Sequence, residues 1–193
     1  MAEVLVVYWS QAGQTAAVAE RIGQTLRTLG HRVVLSAGHD HPEMGPEGFD
    51  AVVVGASIHR GHHPADLLRW LRAHREPLRG LPTAFFSVSL SAASTDPEEQ
   101  RAARRIMEQL LEEAQWQPRR SASIAGAVHF GRYGLLTRWI MRAIIRRKDP
   151  AAAGRQDHEY TDWNAVERFA TDFAAELPQR AGPRPPPDAA GPP

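Results

Sequence analysis

The chain contains no cysteine. That excludes disulfides, thiolate metal sites, iron–sulfur ligation and cysteine nucleophiles. A redox role would have to place its electrons on a bound cofactor. Long apolar runs are also missing, and no stretch is long enough to span a bilayer as a helix. The chain opens Met1-Ala2-Glu3 and passes directly into an apolar run. No leader peptide is expected, and the cytoplasm is the expected compartment. Acidic side chains are absent from one region, Ala114 to Lys148. That region carries eight cations: Arg119, Arg120, Arg132, Arg138, Arg142, Arg146, Arg147 and Lys148. The whole chain has a net charge of only +1, so the remainder is net negative. One basic segment in a near-neutral protein points to an acidic partner there: a phosphate, a carboxylated substrate or an anionic lipid surface.

What is present fits one domain. The 193 residues are 42% hydrophobic and 23% charged, ordinary for a globular protein with a single substantial core. Val4-Leu5-Val6-Val7-Tyr8-Trp9 reads as a strand buried on both faces, the mark of a parallel sheet. A helical pattern follows, with Ala16, Ala19, Ile22, Gly23 and Leu26 on one face and a stop at Gly30. Val33–Leu35 and Ala51–Ala56 read as strands, separated by a loop of Gly, Pro, His and acids. Pro64–Arg75 reads as a helix, Thr83–Leu90 as a fourth strand, and Asp96 as the start of a helix running to Ala114. Ser121–Val128 is a weaker fifth strand, Gly134–Lys148 an amphipathic helix, and Thr161-Asp162-Trp163 opens the last helix. Seven of the sixteen residues from Pro178 onward are proline, which sets residues 178–193 apart as an extended appendage to a domain of residues 1–177.

Alternating strands and helices predict an α/β fold. The expected architecture is a doubly wound, five-stranded parallel sheet of flavodoxin-like order 2-1-3-4-5, with an extra amphipathic helix after strand 5. In that order a ligand binds at the carboxyl ends of strands 1, 3 and 4, where the winding reverses.

The turn after strand 1 is Ser10-Gln11-Ala12-Gly13-Gln14-Thr15. A helix start leaves amides unpaired and its dipole favours an anion, so this turn is a candidate phosphate site. Gly13 admits a close backbone approach, and Ser10 and Thr15 can add hydroxyls. No Lys follows the glycine as in a nucleoside-triphosphate loop, and the three-glycine dinucleotide fingerprint is absent. Strand 1 ends in Trp9-Ser10 and strand 3 in Gly55-Ala56-Ser57, which excludes the acidic cluster of a phospho-acceptor receiver domain.

Five further motifs occur in order. They are Gly55-Ala56-Ser57-Ile58-His59-Arg60-Gly61-His62, Phe85-Phe86-Ser87-Val88-Ser89-Leu90, Gln115-Trp116-Gln117-Pro118, Ile124-Ala125-Gly126-Ala127 and Tyr160-Thr161-Asp162-Trp163. With the basic helix after strand 5, they resemble the menaquinone-dependent protoporphyrinogen oxidases, a flavodoxin-like family of bacterial haem biosynthesis. The resemblance runs over roughly residues 3–177. It implies FMN as cofactor, protoporphyrinogen IX as donor and a membrane quinone, menaquinone, as acceptor. It places the phosphate loop on Ser10–Thr15. It places the ring-contacting loops on Ser57, Ile58, His59, Arg60 and Gly61, and on Ser87, Val88, Ser89 and Leu90. Two departures stand out: Ala12 replaces the Thr that ordinary flavodoxins carry before the loop glycine, and Ser91–Asp96 lacks the basic residues of some relatives.

With a flavin carrying the chemistry, no acid–base triad is required. Arg132, Arg138 and Arg142 are candidates for the carboxylates of the substrate, because arginine pairs with them bidentately. The segment Tyr133–Lys148 has an apolar arc at Leu136, Trp139, Ile140, Ala143 and Ile144 beside a basic arc, which suits an anionic membrane surface, although a helix covering the sheet would look the same. His59, His62 and His63 have no carboxylate or cysteine nearby in sequence before Asp66, so they are not read as a metal site. A quinone reductase using NAD(P)H and a non-catalytic electron carrier share the fold. Carriers are usually strongly acidic, which the basic segment does not match.

Overall fold

The computed structural model describes residues 1–10, 13–129 and 157–178. The elements run β1 (Glu3–Trp9), α1 (Gln14–Thr28), β2 (Arg32–Ala37), β3 (Ala51–Ser57), α2 (Ala65–Ala73), α3 (Arg75–Arg79), β4 (Thr83–Ser89), α4 (Pro97–Ala114), β5 (Arg120–Ala125), β6 (Ala127–His129), β7 (Asp157–Glu159) and α5 (Trp163–Ala174). The first five strands form one parallel sheet in the order β2-β1-β3-β4-β5. The expected architecture is therefore present in the described residues, while the basic segment 130–148, where the extra helix was expected, lies outside them.

The continuous apolar runs explain the layering. Each central strand alternates its side chains between two cores. Val4, Val6, Val53 and Phe86 meet α1 and α5 through Val18, Ile22, Leu26, Val166 and Phe173. Leu5, Val7, Val54 and Phe85 meet α2, α3 and α4 through Leu67, Trp70, Leu78, Met107 and Leu110. Trp9, at the end of β1, is 1% exposed and packs edge-on against Trp70, at 5.6 Å between ring centroids.

Two boundaries differ from the sequence expectation. The helix expected over Pro64–Arg75 spans Ala65–Ala73 and ends at His74, and a second, short helix, Arg75–Arg79, follows it. Pro77 lacks an N–H and its ring would strike the carbonyl four residues earlier, so it is accommodated only in the first turn of a new helix. The strand expected over Ser121–Val128 leaves the sheet at Gly126, whose N–H donates to Ser89 O at 3.0 Å. The chain then forms β6, which pairs antiparallel with β7 in a separate two-stranded ladder. α4 starts as read: Asp96 Oδ1 accepts from Glu98 N at 2.8 Å, with Pro97 at the first helical position.

Candidate functional site

Three turns converge at the carboxyl ends of neighbouring strands β1, β3 and β4. β1 lies where the strand order reverses, so its turn opens toward the crevice beside the β3 and β4 turns.

The first turn leads into α1. Gly13 is the helix N-cap, with φ 92° and ψ −20°, a left-handed conformation that a Cβ would strain. Its N–H donates to Ser10 Oγ at 3.1 Å. No acidic side chain lies in the first turn of α1, so that turn carries no charge against the positive end of the helix dipole. Gln11 and Ala12 lie outside the described residues. Thr15 is 1% exposed, so its hydroxyl sits at the base of the turn. Gln14 is also buried, and its Nε2 donates to Thr161 Oγ1 at 2.8 Å. Thr161 Oγ1 in turn donates to Ala125 O at 2.8 Å. This relay ties the first residue of α1 to the end of β5 and to the segment entering α5. Asp162 Oδ1 caps α5 by accepting from Ala165 N at 3.0 Å.

The second turn follows β3. Ser57 Oγ is buried without a hydrogen-bond partner. Ile58 N donates to Val88 O at 2.8 Å, which holds the turn against β4. His59 and His62 exchange backbone hydrogen bonds of 2.9 and 3.2 Å around Arg60 (φ 51°) and Gly61 (φ 86°), a type I′ hairpin turn. His59, Arg60, Gly61 and His62 are exposed. His63 behaves differently. It is 8% exposed, its ring lies 5.7 Å from that of Phe85, and its Nε2 is 2.9 Å from Ser87 Oγ. Burial, aided by the neighbouring His62, pushes its pKa down to about 4, so the imidazole is neutral at physiological pH. The three histidines therefore do not converge on a common point.

The third turn follows β4. Ser87, Val88 and Ser89 are buried, and Ser87 makes its described side-chain bond to His63. Ser89 Oγ accepts from Ala92 N at 3.1 Å, closing a short turn that begins after Leu90. Leu90 is half-buried. Trp163 packs against the core, with the Arg21 guanidinium 5.2 Å from its ring centroid. The substrate candidates Arg132, Arg138 and Arg142, and the whole segment Tyr133–Lys148, lie outside the described residues. Among the described residues no helix is long and apolar enough to cross a membrane.

The arrangement fits a flavin cofactor that carries a phosphate. A phosphate suits the Gly13 turn and the dipole of α1. The buried Ser57 hydroxyl at the turn after β3 has no hydrogen-bond partner among the described residues. The sequence places a turn after each of the three strands. Sequence reasoning missed the Gln14–Thr161–Ala125 relay and the His63–Ser87 pair, because neither has a local sequence signal.

Comparison with known proteins agrees. The profile of the flavodoxin domain family matches residues 5–152. The protoporphyrinogen IX dehydrogenase [quinone] of Escherichia coli K12 is 31% identical over 175 residues, covering 89% of this chain and 94% of the relative. The protein of the same name from Leishmania major is 34% identical over 137 residues, covering 71% of this chain and 58% of the relative. Among solved structures, oxidised flavodoxin 1 from Bacillus cereus superposes with a TM-score of 0.57 at 16% identity, over 91% of this chain and 99% of that one. A Fusobacterium nucleatum flavodoxin variant bound to flavin mononucleotide superposes with a TM-score of 0.52 at 9% identity, over 92% and 98%. At such identities the two structures speak for the fold. The chain is thus a flavodoxin-like flavoprotein and belongs, within the flavodoxin domain family, to the oxidoreductases named protoporphyrinogen IX dehydrogenase [quinone].

Proposed function

We propose that the protein oxidises protoporphyrinogen IX to protoporphyrin IX with FMN as cofactor and passes the electrons to a membrane quinone, menaquinone. The observation that carries this reading is the match along 94% of a relative that bears the dehydrogenase name. The fit of the three turns to a flavin supports it.

A bound flavin would supply the redox chemistry between porphyrinogen and quinone. The chain's own residues bind and orient. The Ser10–Thr15 turn holds the phosphate through backbone amides at the start of α1. Ser57–Gly61 and Ser87–Leu90 hold the ring, with Ser57 Oγ supplying a hydrogen bond that it lacks on its own. Arg132, Arg138 and Arg142 pair with the substrate carboxylates. The segment Tyr133–Lys148 meets an anionic membrane surface, placing the protein at the cytoplasmic face, and residues 178–193 are an appendage outside the flavin domain.

The test is anaerobic. Protoporphyrinogen IX should bleach the visible band of the bound FMN, and added menaquinone should restore it. Bleaching by NADPH with no response to the porphyrinogen would assign a nicotinamide-dependent quinone reductase instead. Gly13→Val should emerge from gel filtration without FMN, and full retention would remove the phosphate turn from the site.

A further inference from the structure

His63 closes the hairpin after β3, but it does not share that hairpin's exposure. Its neighbours His59 and His62 are at the surface, whereas its own ring is buried against Phe85 of β4. From there Nε2 reaches Ser87 Oγ, 24 residues away, at 2.9 Å, and Ser87 is fully buried. Nδ1 is buried with no partner. Of the two neutral tautomers, one would strand an N–H at Nδ1 and the other only a lone pair. An orphaned buried donor is the rarer and costlier state, so the proton sits on Nε2 and is donated to Ser87 Oγ.

This bond spans the two ring-side turns. Ser87 lies two residues before Ser89, which organises the turn after β4, and His63 lies next to His62, the last residue of the His59–His62 bridge. The backbone bond from Ile58 N to Val88 O joins the same two turns nearer the chain axis. The hairpin from Ile58 to His63 is therefore pinned to β4 at both of its ends. Exposed residues lie between the pins. We propose that His63 is a positioning residue: by donating to Ser87 it fixes the spacing of the β3 and β4 turns and so sets the environment of the flavin ring. The proposal rests on the flavin reading above, and nothing in it requires His63 to touch substrate or cofactor.

The experiment is a double-mutant cycle on the FMN-loaded full chain, with His63→Phe, Ser87→Ala, both together, and His63→Gln. Phe keeps the ring against Phe85 and loses the donor. Gln presents an amide nitrogen near the place of the imidazole Nε2. The readouts are the FMN dissociation constant from fluorescence released on dilution, the visible spectrum of the bound flavin, and its midpoint potential. His63→Phe and Ser87→Ala should each raise the dissociation constant about tenfold and shift the spectrum and potential alike, the scale of one lost hydrogen bond. The double variant should be no worse than either single one, and His63→Gln should return all three readouts toward wild type. Wild-type FMN affinity, spectrum and potential in His63→Phe would overturn the proposal, as would fully additive effects. If His63→Phe does not fold, His63→Leu takes its place in the cycle, losing the donor while keeping an apolar side chain against Phe85. A wild-type protein that binds no FMN overturns both the flavin reading and this one, whereas wild-type FMN binding with silent variants overturns only this one.

Discussion

His63 makes the protein sensitive to acid in a definite window. Its pKa is lowered from 6.5 to about 4 in the fold, chiefly by burial. Between these values the unfolded chain carries a proton there that the folded chain does not. Stability therefore rises with pH through the window: the neutral imidazole's contribution is complete above about pH 6.5 and is lost as pH falls toward 4. At about 1.4 kcal/mol per pH unit, the loss is on the order of 3 kcal/mol. That is a large share of the ~5–15 kcal/mol that holds a typical domain together. His63→Phe removes the titration but leaves Ser87 Oγ buried and unpaired, which costs about 1–3 kcal/mol at every pH. The two proteins should therefore diverge in a pH-dependent way. Wild type is the more stable at pH 7.5, and the gap closes or reverses by pH 4. The assay is urea denaturation followed by tryptophan fluorescence, with FMN held at saturation, at pH 7.5, 5.5 and 4. Other titrating groups act on both proteins and cancel in the difference. Parallel stability profiles for wild type and variant across this range would refute the reasoning, because a buried, neutral His63 cannot be silent there.

Three further perturbations test other parts of the structure. Gly55→Ala would set a Cβ 2.0 Å from Phe86 Cζ on the central strand, where the Phe86 ring is fully buried. It should destabilise by about 1–3 kcal/mol, read as a lowered Tm, and an unchanged Tm would show that the ring has room to move. Thr161→Val keeps the shape but ends the relay from Gln14 to Ala125 O, and should lower stability by about 1–3 kcal/mol, with Thr161→Ser restoring it. Equal loss in both variants would assign the effect to packing. The combined Arg138→Glu, Arg142→Glu, Arg146→Glu variant should keep FMN and lose sedimentation with anionic vesicles. Each basic residue near such a surface contributes about 1 kcal/mol, screened within a Debye length of about 8 Å at physiological salt. Equal sedimentation of wild type and variant would remove the membrane role. Retained vesicle binding with lost porphyrinogen oxidation would move the arginines to the substrate site.

Much of this protein was legible in its sequence, because the relevant information is local. The unbroken Val4–Trp9 and Ala51–Ala56 runs specify strands covered on both faces, and covered strands alternating with helices leave few topologies open. Gly13 between a strand and a helix marks the tight turn after β1, since the left-handed conformation it adopts there disfavours any side chain. Asp96-Pro97 states its own helix start. What the sequence could not decide depends on register between distant segments. His59, His62 and His63 look alike in a row, and only the tertiary structure turns one of them inward to Ser87 of β4. Gln14 and Thr161 are 147 residues apart, and no periodicity links them; they meet because α1 and α5 lie side by side on one face of the sheet. Ser121–Val128 has the composition of one strand, yet the sheet lets go of it at Gly126, where the chain donates to Ser89 O and departs to pair with β7. Hydrophobic periodicity tells a residue which face it occupies, but a hydrogen bond between two buried side chains exists only once the whole sheet has set their separation to within a few tenths of an ångström.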